Sequence, residues 1–185
     1  MISDSLLHRM KILIIDDERI NVVLLERLLQ QSGYCRVVGV TDSRKALETC
    51  ATFDPDLILL DLIMPHVDGF AILETLRSGD ASETFLPIVV LTADMSEEAK
   101  GRALEAGATD FLVKPLTQTE ALLRIRNLLE IRRVHILLEN QRAALEEAVR
   151  ERTAELRAMI AELRANSGPA DFTHSLAART RRGGR

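Results

Sequence analysis

The sequence predicts an α/β domain with a doubly wound, five-stranded parallel sheet, followed by a long C-terminal helix. Between Lys11 and Ile131, five short apolar runs alternate with stretches of helical length and spacing. This alternation is typical of parallel strands joined by crossover helices. From Thr117 onward no further strand signal occurs, and Gly and Pro are absent until Gly168. That second stretch predicts one long helix or two joined helices.

The predicted strands are the apolar runs KILIID, CRVVGV, LILLD, PIVVLT and DFLV. Four of them are nearly continuous in Val, Ile and Leu, which is typical of strands buried on both faces. Between the strands, helices are predicted over Arg19–Ser32, Ser43–Thr52, Gly69–Ser78 and Ser96–Ala106. The glycines at 33 and 107 and the aspartates at 42 and 68 are suitable stop and cap residues for them.

Four regions follow from these changes of pattern. We expect an N-terminal extension over 1–10, the α/β domain over 11–131, a coiled-coil helix over 132–165 and a disordered tail over 166–185. The tail is poor in large apolar residues and ends in a basic, glycine-containing segment, which is a composition that disfavours a packed core.

The predicted long helix carries an interrupted apolar seam. Two positions of a heptad repeat form this seam. The first position is occupied by Leu128, His135, Arg142, Val149, Leu156 and Leu163, and the second lies three residues after each of these. Eight of these twelve residues are apolar. A helix over 117–164 would be roughly 70 Å long, so it cannot pack wholly against a domain of this size. Part of the seam therefore needs another partner. The pattern does not decide whether two such helices pair in parallel or one helix folds back.

Composition excludes several classes of protein. The net charge is -4 and the pI is about 5.6, so no overall basic field attracts nucleic acid or an anionic membrane. The two cysteines, Cys35 and Cys50, lack the close spacing of zinc or redox motifs. The N-terminus has no secretory apolar core, and the most apolar later stretch is interrupted by acids. We therefore expect a soluble cytoplasmic protein with no membrane insertion and no direct binding to nucleic acid.

Polar residues stand where the predicted strands end. Asp16 and Asp17 end the first run, Asp61 the third and Thr92 the fourth, and Lys114 follows the fifth. In an open parallel sheet, ligands bind beyond the carboxyl ends of the strands. We therefore expect these five side chains to converge on one rim of the sheet.

Three carboxylates so close together would repel one another unless a cation lay among them. Oxygen ligands favour a hard divalent cation, magnesium or manganese. Asp17 and Asp61 are the favoured direct ligands, together with the backbone carbonyl of Ile63, and Asp16 binds directly or through water.

A carboxylate can also attack phosphorus, provided that the charge on the transferring group is neutralised. The cation, Lys114 and the hydroxyl of Thr92 would supply that neutralisation. Asp61 is the preferred nucleophile because it stands alone at its strand end, whereas Asp16 and Asp17 are adjacent.

The segments IIDDE, LLDLIMPHVDG, VVLTA and DFLVKP, in this order, resemble the receiver domain of bacterial two-component response regulators. The resemblance covers roughly Lys11 to Ile131 and implies a flavodoxin-like receiver fold. It also implies that Asp61 is the phosphoacceptor and that Asp16 and Asp17 bind magnesium.

The same resemblance assigns roles to residues on the fourth and fifth strands. It implies that Lys114 contacts the phosphoryl group and that the Lys114–Pro115 peptide bond is cis. Thr92 and Phe111 match the family's switch pair, in which the hydroxyl is drawn toward the phosphoryl group and the aromatic ring turns inward to fill the space.

These residues predict a response regulator of a two-component phosphorelay, with a sensor histidine kinase or phosphotransfer protein as partner. We expect phosphorylation to signal by changing dimerisation or partner binding. Two surfaces would take part, namely the face formed by the fourth helix, the fifth strand and the fifth helix, and the C-terminal helix. The segment ENQRAALEEAVRERTAEL resembles the coiled linker before cyclic-di-GMP phosphodiesterase, cyclase or kinase-like output modules. The motifs of the phosphodiesterase and cyclase classes are absent from the sequence. Beyond its own phosphorylation and dephosphorylation, no enzymatic activity is expected.

Two alternatives remain open. In the first, the chain is a dimerising scaffold or adaptor whose coiled helix recruits a separate effector. In the second, it is an aspartate-nucleophile phosphatase. That class usually needs a second aspartate two residues after the first, and Ile63 occupies this position here.

Overall fold

The computed structural model describes residues 2–78, 85–93 and 96–166. The strands are β1 Lys11–Ile15, β2 Arg36–Val40, β3 Leu57–Asp61, β4 Ile88–Thr92 and β5 Asp110–Val113. The helices are α1 Ile2–Leu7, α2 Arg19–Gln31, α3 Ala46–Phe53, α4 Gly69–Ser78, α5 Glu97–Glu105 and α6 Gln118–Asn166. The tail predicted to be disordered lies, except for its first residue, outside the described residues.

The five strands form one parallel sheet in the order β2-β1-β3-β4-β5, which confirms the predicted fold. The central strands β1, β3 and β4 are buried along nearly their whole length. The edge strands β2 and β5 are only partly buried. The prediction of four strands buried on both faces is therefore right for β1, β3 and β4 and wrong for the fourth, because both remaining strands are edge strands with a neighbour on one side only.

Side chains from alternate positions of the strands build two apolar clusters, one on each face of the sheet. On one face, Ile12, Leu59 and Leu91 pack with apolar residues of α1, α2 and α6. On the other face, Leu13 and Leu60 pack with apolar residues of α3, α4 and α5. Burial on both faces is the reason why these strands are apolar without a polar alternation.

The N-terminal extension contributes to the core. Helix α1 ends at Leu7, which is 2% exposed, and Met10 is buried in the same apolar cluster. The backbone N–H of Cys35 donates to the carbonyl oxygen of His8 at 3.0 Å, which ties the segment to the start of β2. This helix was not predicted, because six residues are too short to show helical periodicity.

Helix α6 is a single helix of 49 residues rather than two joined helices. Ala121, Ile125 and Leu129 anchor its first part in the core. One turn later, Nη1 of the buried Arg132 donates to the carbonyl oxygen of Phe85 at 3.0 Å. The ring of His135 stacks on that of Phe85, with 4.6 Å between centroids.

The chain divides into two units, Met1–Leu138 and Glu139–Arg185. In the described part of the second unit, six large apolar side chains are more than 45% exposed. They are Leu145, Val149, Leu156, Met159, Ile160 and Leu163. Within the described residues, no helix contains a stretch that is both long and apolar enough to cross a membrane.

Candidate functional site

The carboxylates of Asp16, Asp17 and Asp61 meet at the carboxyl end of the sheet. Each offers an oxygen atom, and these three oxygen atoms lie within 4.8 Å of one another. The arrangement follows from the topology, because β1 and β3 are adjacent parallel strands and end at the same edge. Asp16 is fully buried, Asp61 is 7% exposed and Asp17 is half-buried.

Asp16 is held by donors on both of its carboxylate oxygens. The backbone N–H of Glu18 donates to Oδ1 at 2.9 Å, and Nζ of Lys114 donates to Oδ2 at 2.8 Å. The side-chain amide nitrogen of Asn21 lies 3.2 Å from Oδ1 and 3.1 Å from Oδ2. A buried carboxylate needs such donors, because an ionised group without partners is costly in the interior.

Lys114 bridges two of the acids. Its Nζ lies 3.1 Å from Oδ2 of Asp61 as well as 2.8 Å from Oδ2 of Asp16. The backbone N–H of Lys114 donates to the carbonyl oxygen of Thr92 at 2.7 Å, and the following bond to Pro115 is cis. Burial acts to lower the pKa of Lys114, but the hydrogen bond to Asp16 and the charge of Asp61 outweigh it and raise the pKa. The ammonium group is therefore protonated at neutral pH.

Asp61 lies in a less favourable environment for its charge. Burial raises the pKa of Asp61, the charge of Lys114 and its hydrogen bond oppose that rise, and the charge of Asp16 adds to it. The net pKa is raised, because one ammonium group does not offset both burial and a neighbouring carboxylate. A divalent cation among the three acids would relieve this repulsion. The oxygen-only donor set fits Mg²⁺, which commonly pairs one or two carboxylates with a phosphate.

The loop after Asp61 approaches the site closely at Gly69, the first residue of α4. Its N–H donates to the carbonyl oxygen of Leu62 at 3.0 Å. A Cβ atom at position 69 would overlap the carbonyl oxygen of Asp61 and come within 2.6 Å of Cα of Leu62. The absence of a side chain at Gly69 therefore permits the observed position of the backbone of Asp61.

Ser43 holds the middle of the same loop. Its hydroxyl group, which is buried, donates to the carbonyl oxygen of Pro65 at 2.6 Å and accepts from the N–H of Val67 at 3.1 Å. The intervening His66 has a φ of 73°. These two hydrogen bonds fix a turn with a left-handed residue next to the strand end that carries Asp61.

Thr92 and Phe111 lie on the neighbouring strands β4 and β5. Thr92 is 6% exposed and follows Leu91, which is paired in register with Asp61. Phe111 is half-buried, and Nζ of Lys100 lies 5.4 Å from the centre of its ring. The sheet therefore places Thr92 beside the acid cluster and Phe111 on the strand adjacent to it.

Ile63 is placed on the rim of the site by its position two residues after Asp61. Its side chain is 76% exposed. A cavity of about 420 Å³ borders this rim and is lined by the side chains of Ile63, Phe70, Thr92 and Arg102, among others. The participation of the Ile63 carbonyl in binding a cation stays a prediction.

Comparison with known proteins agrees with this geometry. The response regulator receiver domain matches residues 12–126, which is more than half of the chain. The chain belongs to the response regulator receiver family.

The receiver domain is 39% identical over 119 residues to the alkaline phosphatase synthesis transcriptional regulatory protein PhoP of Bacillus subtilis, covering 64% of this chain and 48% of PhoP. It is 38% identical over 128 residues to the transcriptional regulatory protein HprR of Escherichia coli, covering 69% of this chain and 54% of HprR. The chain thus spans about half the length of the curated relatives that it matches.

Solved structures show the same fold. A putative response regulator from Chloroflexus aurantiacus superposes with a TM-score of 0.61 at 33% identity, over 66% of this chain and 98% of that one. The chemotaxis protein CheY4 of Vibrio cholerae superposes with a TM-score of 0.60 at 31% identity, over 65% of this chain and 98% of that one. The receiver fold therefore accounts for about two thirds of this chain.

The structure brings together Asp16, Asp17, Asp61 and Lys114, as the strand ends predicted. Sequence reasoning missed Asn21, which contacts Asp16, and also Ser43 and Gly69, which hold the loop after Asp61. A signal for Asn21 existed, because a polar residue four or five positions after an acidic strand end lies on the first turn of the next helix. No local pattern identified Ser43, because its partners are more than twenty residues away.

Proposed function

We propose that this receiver domain accepts a phosphoryl group on Asp61 from a phosphohistidine of a sensor histidine kinase or phosphotransfer protein. The observation that carries the proposal is the position of Asp61, whose carboxylate lies 3.1 Å from the ammonium group of Lys114 and within 4.8 Å of two further acids. The ammonium group of Lys114 carries a single positive charge against three acids, so a divalent cation among them would offset the remaining negative charge.

The cation would be held by Asp17, Asp61 and the backbone carbonyl of Ile63. Because three groups already donate hydrogen bonds to Asp16, we favour contact between Asp16 and Mg²⁺ or Mn²⁺ through a water molecule. When bound, the cation neutralises negative charge on the transferring phosphoryl group.

The chemical step is a displacement at phosphorus. A carboxylate oxygen of Asp61 forms the new P–O bond as the P–N bond to the donor imidazole breaks, and the imidazole leaves with the bonding electron pair. Lys114 lies close enough to Asp61 to contact the oxygens of the arriving group. The buried Asp16 keeps Lys114 at the site before that group arrives.

The phosphorylated site would signal through Thr92 and Phe111. The new oxygens accept a hydrogen bond from the hydroxyl of Thr92, and Phe111 turns into the space that this hydroxyl vacates. A shift from 1:99 to 99:1 between two states requires about 5.5 kcal/mol of differential stabilisation. A few charge-assisted hydrogen bonds are of that order.

The donor protein would dock on the rim of the acid cluster. Three large apolar side chains are exposed close to the acids in sequence, namely Ile20 at 73% and Leu24 at 59% on α2, and Ile63 at 76%. We expect Ile20→Ser to slow phosphoryl transfer from a cognate protein donor and to leave transfer from acetyl phosphate unchanged. Equal slowing with both donors would contradict a docking role.

The output would be a change in pairing between two copies of the chain. The proposed pairing surfaces are the face formed by α5, β5 and the start of α6, and the exposed seam of α6. On the first face, Nη1 of Arg124 lies 2.8 Å from both carboxylate oxygens of Asp110. On the seam, Arg142 pairs with Glu146 at 2.8 Å, so the acid offsets a charge at a heptad position.

The second half of α6 supports the coiled-coil interpretation, because its apolar side chains are exposed at heptad spacing. We propose that it acts as a coiled linker of the kind that precedes cyclic-di-GMP phosphodiesterase or cyclase output domains. The same exposed seam favours the second candidate, a dimerising scaffold or adaptor whose helix recruits a separate effector.

Phosphoryl uptake separates these two candidates. Incubation of the purified chain with acetyl phosphate and Mg²⁺ should add one phosphoryl group, detected by intact mass. Omission of Mg²⁺ and the variant Asp61→Asn should each abolish the addition. The matched control is Asp68→Asn, an exposed aspartate in the same loop, which should be labelled like the wild type.

A chain that gains no phosphoryl group under these conditions would be a scaffold with an unused pocket. Labelling that persists in Asp61→Asn would place the phosphoacceptor elsewhere. Sustained turnover of unrelated phosphoesters would instead favour the phosphatase alternative.

A further inference from the structure

The side chain of Asn21 donates to the acid cluster without carrying a charge. It lies in the first turn of α2, and its amide nitrogen is 3.2 Å from Oδ1 and 3.1 Å from Oδ2 of Asp16. The same nitrogen donates to Oε2 of Glu18 at 3.0 Å. One amide group therefore contacts two carboxylates that flank Asp17 in sequence.

We propose that Asn21 is a positioning residue for the metal centre, fixing the carboxylate of Asp16 in the orientation that the cation and Lys114 require. This inference rests on the proposed function, because it assumes that Asp16, Asp17 and Asp61 hold Mg²⁺. Asn21 acts on the cation through Asp16 rather than as a ligand.

The geometry explains why one side chain can have this effect. The N–H of Glu18 reaches only Oδ1 of Asp16, and Nζ of Lys114 reaches only Oδ2. The carboxylate turns about its Cβ–Cγ bond, and Nζ of Lys114, one of the two donors that oppose this rotation, is shared with Asp61 at 3.1 Å. The amide nitrogen of Asn21 lies within hydrogen-bond range of both oxygens, so it restricts this rotation.

The neutral charge of the amide also matters. An asparagine donates hydrogen bonds to Asp16 and Glu18 without cancelling the negative charge that attracts Mg²⁺. A lysine at this position would donate as well but would compete electrostatically with the cation. A leucine of similar size would leave Asp16, which is fully buried, with one donor fewer on each oxygen.

The test compares Mg²⁺ binding to the full chain and to its Asn21→Leu variant by isothermal titration calorimetry, without a phosphodonor. Substitution of groups that orient metal ligands typically weakens metal affinity by about 10-fold to 100-fold. We expect the dissociation constant for Mg²⁺ to rise by about 10-fold in Asn21→Leu. The rise in Tm on addition of Mg²⁺ should shrink in parallel, since that rise depends on the ratio of free Mg²⁺ to the dissociation constant.

The matched control is Gln30→Leu, which exchanges an exposed amide for leucine at the other end of the same helix. It should bind Mg²⁺ like the wild type. If Asn21→Leu does not fold, as judged by circular dichroism, Asn21→Gln replaces it. This variant keeps the amide but displaces it by one methylene group, and it should bind Mg²⁺ more weakly than the wild type.

The outcomes are distinguishable. If the folded variant at position 21 binds Mg²⁺ as tightly as the wild type, the inference is wrong and the proposed function stands. If the variant loses only thermal stability, with unchanged Mg²⁺ affinity, Asn21 has a structural role and the inference is equally wrong. If the wild type itself neither binds Mg²⁺ nor takes up a phosphoryl group, the proposed function fails first.

Discussion

The ammonium nitrogen of Lys114 lies 3.1 Å from Oδ2 of Asp61, yet burial and the charge of Asp16 still raise the pKa of Asp61. Asp61 is therefore an acid whose ionised form is unfavourable in the folded, metal-free protein. Such a group is suited to bind a divalent cation, because the cation reduces the local excess of negative charge and can then offset the charge that a phosphoryl group adds.

This relationship predicts an effect of Asp61→Asn on stability. A carboxyl group whose pKa is higher in the folded than in the unfolded state destabilises the fold at pH values above both pKa values. The penalty vanishes as the pH falls below the ordinary range of an aspartate, about 4. Metal-free Asp61→Asn should therefore have a higher Tm than the wild type at pH 7, and the difference should disappear toward pH 3.

Calorimetric scans across this pH range in the presence of a chelator would measure the difference. Glu74→Gln, which neutralises an exposed acid on α4, is the control and should change Tm little at any pH. A lower Tm of Asp61→Asn at pH 7 would show that the charge of Lys114 outweighs the burial of Asp61.

Two glycine substitutions should have opposite effects. Gly69→Ala brings a Cβ atom into overlap with the backbone of Asp61 and Leu62, whereas a Cβ at Gly101 meets nothing within 4 Å. We expect Gly69→Ala to destabilise the protein by about 1–3 kcal/mol, because the added atom overpacks the site. It should also slow phosphoryl uptake roughly tenfold or more, because the backbone of Asp61 must shift. Gly101→Ala, inside α5, should stabilise it by about 0.5–1 kcal/mol.

Urea unfolding and the initial rate of phosphorylation by acetyl phosphate measure the two effects. A Gly69→Ala protein with the stability and rate of the wild type would mean that the close approach to Asp61 has no consequence.

Adjacent arginines on α6 should differ in their contributions to stability. Arg132 is 8% exposed, and it donates to the carbonyl oxygen of Phe85 while its Nε lies 3.7 Å from Asp56. Arg133 is half-buried and pairs with Glu130, three residues earlier on the same helix, at 3.0 Å. Loss of a hydrogen bond from a charged group costs about 1.5–3 kcal/mol, so Arg132→Met should reduce the free energy of unfolding by about that amount.

Arg133→Met, its matched control, should change the free energy of unfolding by less than about 1 kcal/mol, as is typical of exposed ion pairs. Equal effects of the two substitutions in chemical denaturation would mean that the buried contacts of Arg132 contribute little.

The proposed pairing of helices predicts a difference between two faces of α6. Leu156 lies at a heptad position of the seam and is 58% exposed, whereas Ala154 is exposed away from it. Burial of a leucine contributes about 1.5–3 kcal/mol, and each 1.4 kcal/mol is about tenfold in association. Leu156→Glu should therefore weaken self-association at least tenfold, and Ala154→Glu should not.

Analytical ultracentrifugation of the chain, before and after treatment with acetyl phosphate, would detect the difference. A wild-type chain that remains monomeric in both states would exclude pairing through this seam and leave the helix to a different partner.

Much of the site was predictable because it depends on strand ends. Asp16, Asp17, Asp61 and Lys114 each stand at the carboxyl end of an apolar run, and parallel topology brings such ends together. Asn21, Ser43 and Gly69 were not predictable in the same way, because their roles depend on distances to atoms in other segments.

The sequence by itself determined the order of the five strands and of the helices that connect them, the identity of the acids and the extent of the strand-free segment that contains α6, since apolar periodicity and strand-end polarity are local properties. Only the tertiary structure decided that β5 is a half-buried edge strand, that Leu7 of the N-terminal segment enters the core and that the ammonium group of Lys114 reaches both Asp16 and Asp61. The physical reason is that burial and hydrogen bonding between distant segments depend on how the helices and strands pack, which no single stretch of sequence specifies.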